Sequence, residues 1–181
     1  MPPFEVLEKK VGYEIRRYEK QYLAQVTYDV PKTTDFSSQS GTGFYPLFKY
    51  ITGNNENKTK ISMTAPVIMQ ETDSNEATTR TMSFIMSPSK FQSLSELPAA
   101  ADQKIRLVEE SNGQKLACIT YNMSMSTERN AAKEQELRQA AERDGIRLST
   151  DPNDVRYLGY NAPFTIPYFR RNEICIPVVE Q

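Results

Sequence analysis

The chain has 181 residues, 38% of them apolar and 25% charged, with 22 lysines and arginines against 23 acids. That is enough for one packed core and short for two. A near-neutral chain with no basic cluster larger than Lys9-Lys10, Arg16-Arg17 or Arg170-Arg171 is no nucleic-acid binder, no apolar run approaches the ~20 residues that span a bilayer, and the absence of histidine removes Ser-His-Asp and Cys-His catalysis and every histidine-bearing zinc site.

Strand-like sequence begins at Phe4, "FEVLEKK", with no basic-then-apolar leader, so the chain reads as cytoplasmic. "YEIRRYEKQYLAQV", from Tyr13, reads as two strands turning at Glu19-Lys20. A helix is predicted roughly from Ser40 to Thr52, where Phe44, Leu47, Phe48 and Ile51 form one apolar stripe. Pro46 belongs in a first turn, which moves the expected start to near Phe44, and Gly53-Asn54-Asn55 stops the helix. Next comes "KTKISMTAPVIM", a strand pattern interrupted by Ala65-Pro66. Proline cannot donate to a ladder, so it marks an edge, a bulge or a break. A short apolar strand, "SFIM", starts at Ser83.

The same order then recurs. "LAQVTYD" from Leu23 and "LACITYN" from Leu116 share Leu, Ala, Thr and Tyr in register, and Ile15-Arg16 matches Ile105-Arg106. The turn of the second copy, Ser111-Asn112-Gly113-Gln114, predicts a type I′ hairpin. A second helix is predicted over roughly Thr127 to Arg143, capped by Ser126 or Thr127 and closed by Gly145, with a thin apolar face of Ala131, Leu137, Ala140 and Ala141. Ala162-Pro163-Phe164 answers Ala65-Pro66-Val67, and "EICI" from Glu173 answers "SFIM". Each half therefore reads strand, strand, helix, strand, strand, a duplicated unit with pseudo-twofold symmetry.

Cys118 and Cys175 lie in apolar strand segments and read as reduced core cysteines. Met63, Met69, Met82 and Met86 read first as filling of an irregular core. Tyr45 and Lys49, one turn apart and off the apolar stripe, read on spacing alone as a solvated helix face. Arg170-Arg171-Asn172-Glu173 reads as a turn satisfying backbone groups at the end of the last strand.

"GFYPLFKYITGNNENKTKISMTAPV", "GYNAPFTIPYFRRNEICIP" and "YEIRRYEKQYLAQV" together resemble the helix-plus-strand signature, the C-terminal signature and the opening strands of the SOUL/haem-binding-protein family, over Phe4 to Val178. The resemblance implies an α+β fold in which the two units form a distorted antiparallel β-barrel flanked by two helices, one domain over residues 1–181 with halves near 4–90 and 100–181. It implies binding, buffering or transport of haem or a related tetrapyrrole, not turnover. The axial histidine of some members falls at Arg17, which excludes that ligation. The cofactor is then expected to sit weakly and non-covalently in an apolar cleft beside the first helix. Of three basic positions that meet propionates in the family, one matches Lys49. The others fall near Gly41 and at Thr165-Ile166, neither basic, and Arg170 and Arg171 are the substitutes.

The expected cofactor site is thus Phe44, Tyr45, Phe48, Lys49, Met63, Arg170 and Arg171, with no catalytic residue and no metal ligand. One alternative is a protein-interaction module using the second helix, which calls for an exposed apolar patch there. The other is a small-molecule hydrolase drawing on Glu14, Tyr160 or Glu173, which calls for a buried carboxyl of raised pKa at a pocket.

Overall fold

The computed structural model describes residues 3–38, 41–161 and 165–180. Its strands are β1 (Phe4–Lys9), β2 (Glu14–Tyr18), β3 (Gln21–Val30), β4 (Val67–Asp73), β5 (Thr78–Met86), β6 (Ile105–Glu110), β7 (Gln114–Tyr121), β8 (Arg156–Gly159) and β9 (Asn172–Pro177). The helices are α1 (Gly41–Ile51) and α2 (Thr127–Arg143). All nine strands join one antiparallel sheet in the order β1-β2-β7-β9-β8-β4-β5-β3-β6. Without β1, the order reads the same from both ends once each strand is exchanged for its counterpart in the other half. The pseudo-twofold therefore passes between β4 and β8, where Val67 faces Gly159 and Met69 faces Tyr157.

The connectivity forces this sheet to curl. β2 and β3 stand near opposite ends of the order, yet only Glu19 and Lys20 separate them; Ser111 to Gly113 alone separate β6 from β7. At about 3.5 Å per residue such links reach little more than ~10 Å, so the two ends of the sheet must come together. The hydrogen bond from Gly113 N–H to Tyr18 O (3.0 Å) and the Lys20–Glu109 ion pair (3.2 Å) close that seam. This corrects the hairpin expectation. Both turns are present, but β2 pairs with β7 and β3 with β6, so each half lends a strand to the other. Only Gly113 of the Asn112-Gly113 pair has positive φ (+88°), so the turn is not type I′.

Alternation along the strands sets two faces. Tyr22, Ala24 and Val26 of β3 and Met82, Phe84 and Met86 of β5 pack beneath Leu47, Tyr50 and Ile51 of α1. Ala117, Ile119 and Tyr121 of β7 with Ile174 and Ile176 of β9 pack beneath Leu137, Ala140 and Ala141 of α2. The opposite, concave face is filled by Tyr18, Leu23, Ile68, Ile85, Leu116 and Leu158. Among the methionines, Met69, Met82 and Met86 are core, whereas Met63 lies outside β4 and is exposed. Ala65-Pro66 stands immediately before β4, with a cis peptide bond, so the proline sits at a strand boundary and removes no ladder donor. Its counterpart Ala162-Pro163-Phe164 lies outside the described residues.

Both helices depart from the expected pattern in an informative way. α1 begins at Gly41, and Pro46 is interior; the hydrogen bond to the Thr42 carbonyl that proline cannot make is forfeited. In the first turn Gly43 lies against Tyr28: a Cβ there would lie 2.3 Å from Cε1 of that ring, so a side chain at 43 would push the ring aside. The buried face is Leu47, Tyr50 and Ile51; Phe48 of the predicted stripe is turned outward. In α2, capped by Ser126 as predicted, Ala131 is exposed and Asn130 takes the inner position, accepting a hydrogen bond from Tyr121 Oη (2.7 Å). No helix of the described residues is long and apolar enough to cross a membrane.

The cysteines are also corrected. β7 and β9 pair in a register that sets Cys118 directly opposite Cys175 with both side chains on the concave face, and they form a disulfide. Register, not composition, decides that outcome.

Candidate functional site

Two assemblies of side chains carry the chemistry of this molecule. The first is the outer face of α1. Phe44 and Phe48, one turn apart, stack with centroids 5.7 Å apart and planes 18° from parallel, and Phe44 meets the edge of core residue Phe84 at 5.6 Å. Beside them Lys49 holds its Nζ 4.8 Å from the centre of the Tyr45 ring, a cation–π pair. Tyr45 is 58% and Phe48 41% exposed. An isolated soluble helix has no reason to present two such rings to water, and here they adjoin a cation.

The end of this helix is fixed firmly. Tyr50 Oη donates to Pro98 O (2.7 Å), Asn55 Nδ2 donates to Tyr50 O and Thr59 O (both 2.8 Å), and Ile61 N–H returns to Ile51 O (2.7 Å). Met63 follows two residues later, exposed, in the segment that leads to β4. Four of the predicted site residues, Phe44, Tyr45, Phe48 and Lys49, therefore share one helix face.

Arg170 and Arg171 make hydrogen bonds within the protein. Arg170 donates to Thr165 O (2.8 Å) and Ser124 Oγ (3.2 Å), bracing the segment before β9. Arg171 belongs to the second assembly, an ionic network on the concave face. At its centre Glu173 is wholly buried and Arg16 is 2% exposed. The Arg16 guanidinium grips both carboxylate oxygens (2.8 and 3.0 Å), Arg171 Nη2 adds a bond of 2.7 Å, and Tyr160 Oη adds one of 2.8 Å. Arg16 also donates to Glu14 (2.9 Å) and Tyr18 Oη (3.2 Å) and lies over the Phe4 ring, its Cζ 4.4 Å from the centroid.

Burial alone would raise the Glu173 carboxyl, but the bonds from Arg16, Arg171 and Tyr160 outweigh it and hold the pKa below its ordinary value. Burial and the neighbouring Glu173 push the Tyr160 hydroxyl well up. Glu173 is thus a fixed anion with its oxygens saturated, and Tyr160 a neutral donor. Neither is placed to move a proton to or from a substrate. Asn172 and Glu173 already belong to β9, so in place of the expected backbone turn at Arg170-Arg171-Asn172-Glu173 the structure has side-chain ion pairs around Glu173.

The network was missed as a unit because Arg16 and Glu173 are remote in the chain. The only signal was parity, since both occupy inward positions of alternating strands. Among the described residues no group of three or more His, Cys, Asp or Glu comes together as a metal site. α2 exposes Glu, Lys, Arg, Gln and alanines on its outer side, so the apolar patch that a partner on this helix would need is not present among the described residues.

The family model described as SOUL heme-binding protein matches residues 1–177. No curated protein sequence matches the chain. Among solved structures, a hydrolase from Listeria innocua superposes with a TM-score of 0.62 at 12% identity, over 96% of this chain and 94% of its own. An uncharacterized conserved protein from Listeria innocua gives 0.64 at 12% identity, over 94% and 93%. The EcmrR C-terminal domain gives 0.60 at 14% identity, over 93% and 99%. At such identities these likenesses concern the fold alone.

Proposed function

The chain belongs to the SOUL heme-binding protein family, and from that premise we propose that it binds haem or a related tetrapyrrole on the outer face of α1, as a carrier or buffer and not as a catalyst. The observation that carries this reading is the stack of half-buried Phe44 on exposed Phe48 beside the Tyr45–Lys49 cation–π pair. A tetrapyrrole brings a flat apolar ring with carboxylates at one edge. The stacked phenylalanines and Tyr45 offer the apolar wall, Lys49 the cation for a carboxylate, and Met63 further apolar area nearby in sequence. With no histidine in the chain, binding rests on apolar contact and one exposed charge. Such a site supports micromolar affinity at best, about −8 kcal/mol.

Lys49 is the cation this reading relies on; Arg170 and Arg171, the two other cations of the expected site, also bond to Thr165 and Ser124 and to Glu173. The hydrolase alternative loses support, because Glu173 has a lowered, not a raised, pKa and its oxygens are occupied. The name carried by one structural neighbour reaches no residue of this chain.

Titration of the purified protein with hemin, followed at the Soret band, tests the proposal. A saturable one-to-one shift is expected in the wild type. Lys49→Ala should weaken it about two- to five-fold, the worth of one exposed charge pair, and Phe48→Ala should weaken it more. A featureless response, or one that neither substitution changes, refutes the site.

A further inference from the structure

The loop that leaves α1 brings a second cation to the candidate site. Lys49 and Lys60 are both exposed. Among the described residues the lysines in ion pairs are Lys10, Lys20, Lys115 and Lys133, so the charges of Lys49 and Lys60 are not matched by an acid. Residues 52–66 hold one acid, Glu56, whose N–H is bonded to Ala99 O (2.8 Å).

Lys60 stands between two residues that are held to the last turn of the helix. On one side buried Asn55 joins helix and loop: its Nδ2 donates to Tyr50 O and to Thr59 O, and its Oδ1 accepts the Thr59 N–H (3.1 Å). On the other side Ile61 N–H donates to Ile51 O (2.7 Å), and the Ile61 side chain is buried in the core under α1. Measured through that contact, the Lys60 Cα lies within about 13 Å of the Lys49 Cα, and each ammonium rides on a flexible four-carbon stem. The chain then turns back along the phenylalanine flank. Thr64 Oγ1 donates to Ile85 O, Val67 faces Phe84 across β4 and β5, and Phe84 is the ring that Phe44 meets. The segment is thus pinned at both ends to the structure that carries the Phe44–Phe48 stack, with exposed Met63 between the pins. Lys58 lies outside them, its carbonyl beside Gly53 beyond the helix end.

A tetrapyrrole that rests on Phe48 with one carboxylate at Lys49 carries a second carboxylate on the same edge, and one lysine leaves that group without a partner. We propose that Lys60 binds the second carboxylate, so that Lys49 and Lys60 form a two-point grip selecting rings with two carboxylates on one edge. The inference rests on the tetrapyrrole reading of the α1 face.

Hemin titrations at the Soret band test it. Lys60→Ala should weaken binding about two- to five-fold, Lys60→Arg should restore it, and Lys58→Ala should stay near wild type. Hemin dimethyl ester keeps the ring and loses both carboxylate charges, so wild type and Lys60→Ala should bind it about equally. Weaker binding by Phe48→Ala and Lys49→Ala with none lost in Lys60→Ala overturns this inference and leaves the tetrapyrrole reading standing. An equal loss in Lys58→Ala, or an ester that tells Lys60→Ala from wild type, also overturns it, since the effect would then be general charge or packing. No Soret response in the wild type overturns both.

Discussion

Glu173→Ala should lower the stability of the protein by about 3–5 kcal/mol, the usual cost of stranding one partner of a buried ion pair, and its melting temperature by roughly 10 °C. Arg16 is almost as buried as Glu173 and has both its terminal nitrogens on the carboxylate. Without the carboxylate a guanidinium is left uncompensated on the concave face of the sheet, and Tyr160 Oη loses its acceptor. The double variant Arg16→Met/Glu173→Leu removes both charges and should recover much of the loss, because apolar replacement of a buried pair is often neutral.

The effect depends on pH in a defined direction. The folded-state pKa of Glu173 lies below the ordinary 4.5, so the network contributes in full above about pH 4.5 and is lost as pH falls through the lower folded value. The deficit of Glu173→Gln, measured by urea denaturation, should therefore be largest near neutrality and shrink in acid. A Glu173→Ala variant within 1 kcal/mol of wild type would contradict the buried network.

Loss of the Cys118–Cys175 bond should be nearly as costly. It closes a loop across a sequence separation of 57, for which the chain-entropy estimate is about 4 kcal/mol. Wild type should label with an alkylating agent at neither cysteine when unfolded without reductant, and at both after reduction. Its urea midpoint should fall in the presence of reductant, while that of Cys118→Ala/Cys175→Ala should not respond. Two labelled thiols without reductant would restore the reduced pair that composition predicts. A disulfide belongs to oxidising surroundings more often than to the cytosol, so the outcome also weighs on the cytoplasmic expectation.

Much of the architecture was legible because alternation and capping are local. Ser126 before α2, the inward and outward residues of β3 and β7, and the duplicated order of elements follow from spacing over a few residues. Pairing was not legible. The Glu19-Lys20 and Asn112-Gly113 turns look the same whether the strands on either side pair with each other or part to opposite ends of a curled sheet, and only the closed sheet decides. The first turn of α1 packs through Gly43 on Tyr28, a contact distant in sequence. At the candidate site, the α1 face was legible through family likeness, not periodicity, since the apolar stripe placed Phe48 in the core.

The exchange of strands between the halves has a bearing on how the molecule comes apart. The β2–β7, β3–β6 and β4–β8 ladders are three stitches that all cross the boundary between the repeats. Neither repeat owns a closed sheet. A chain severed near Pro98, between β5 and β6, would leave two fragments that each lack the neighbours of their outermost strands. Such fragments are complementary templates, each incomplete until it meets the other, and the intact polypeptide is in effect a tethered pair of them. Loosening either repeat exposes unpaired edges on its twin, so the protein should melt as one unit.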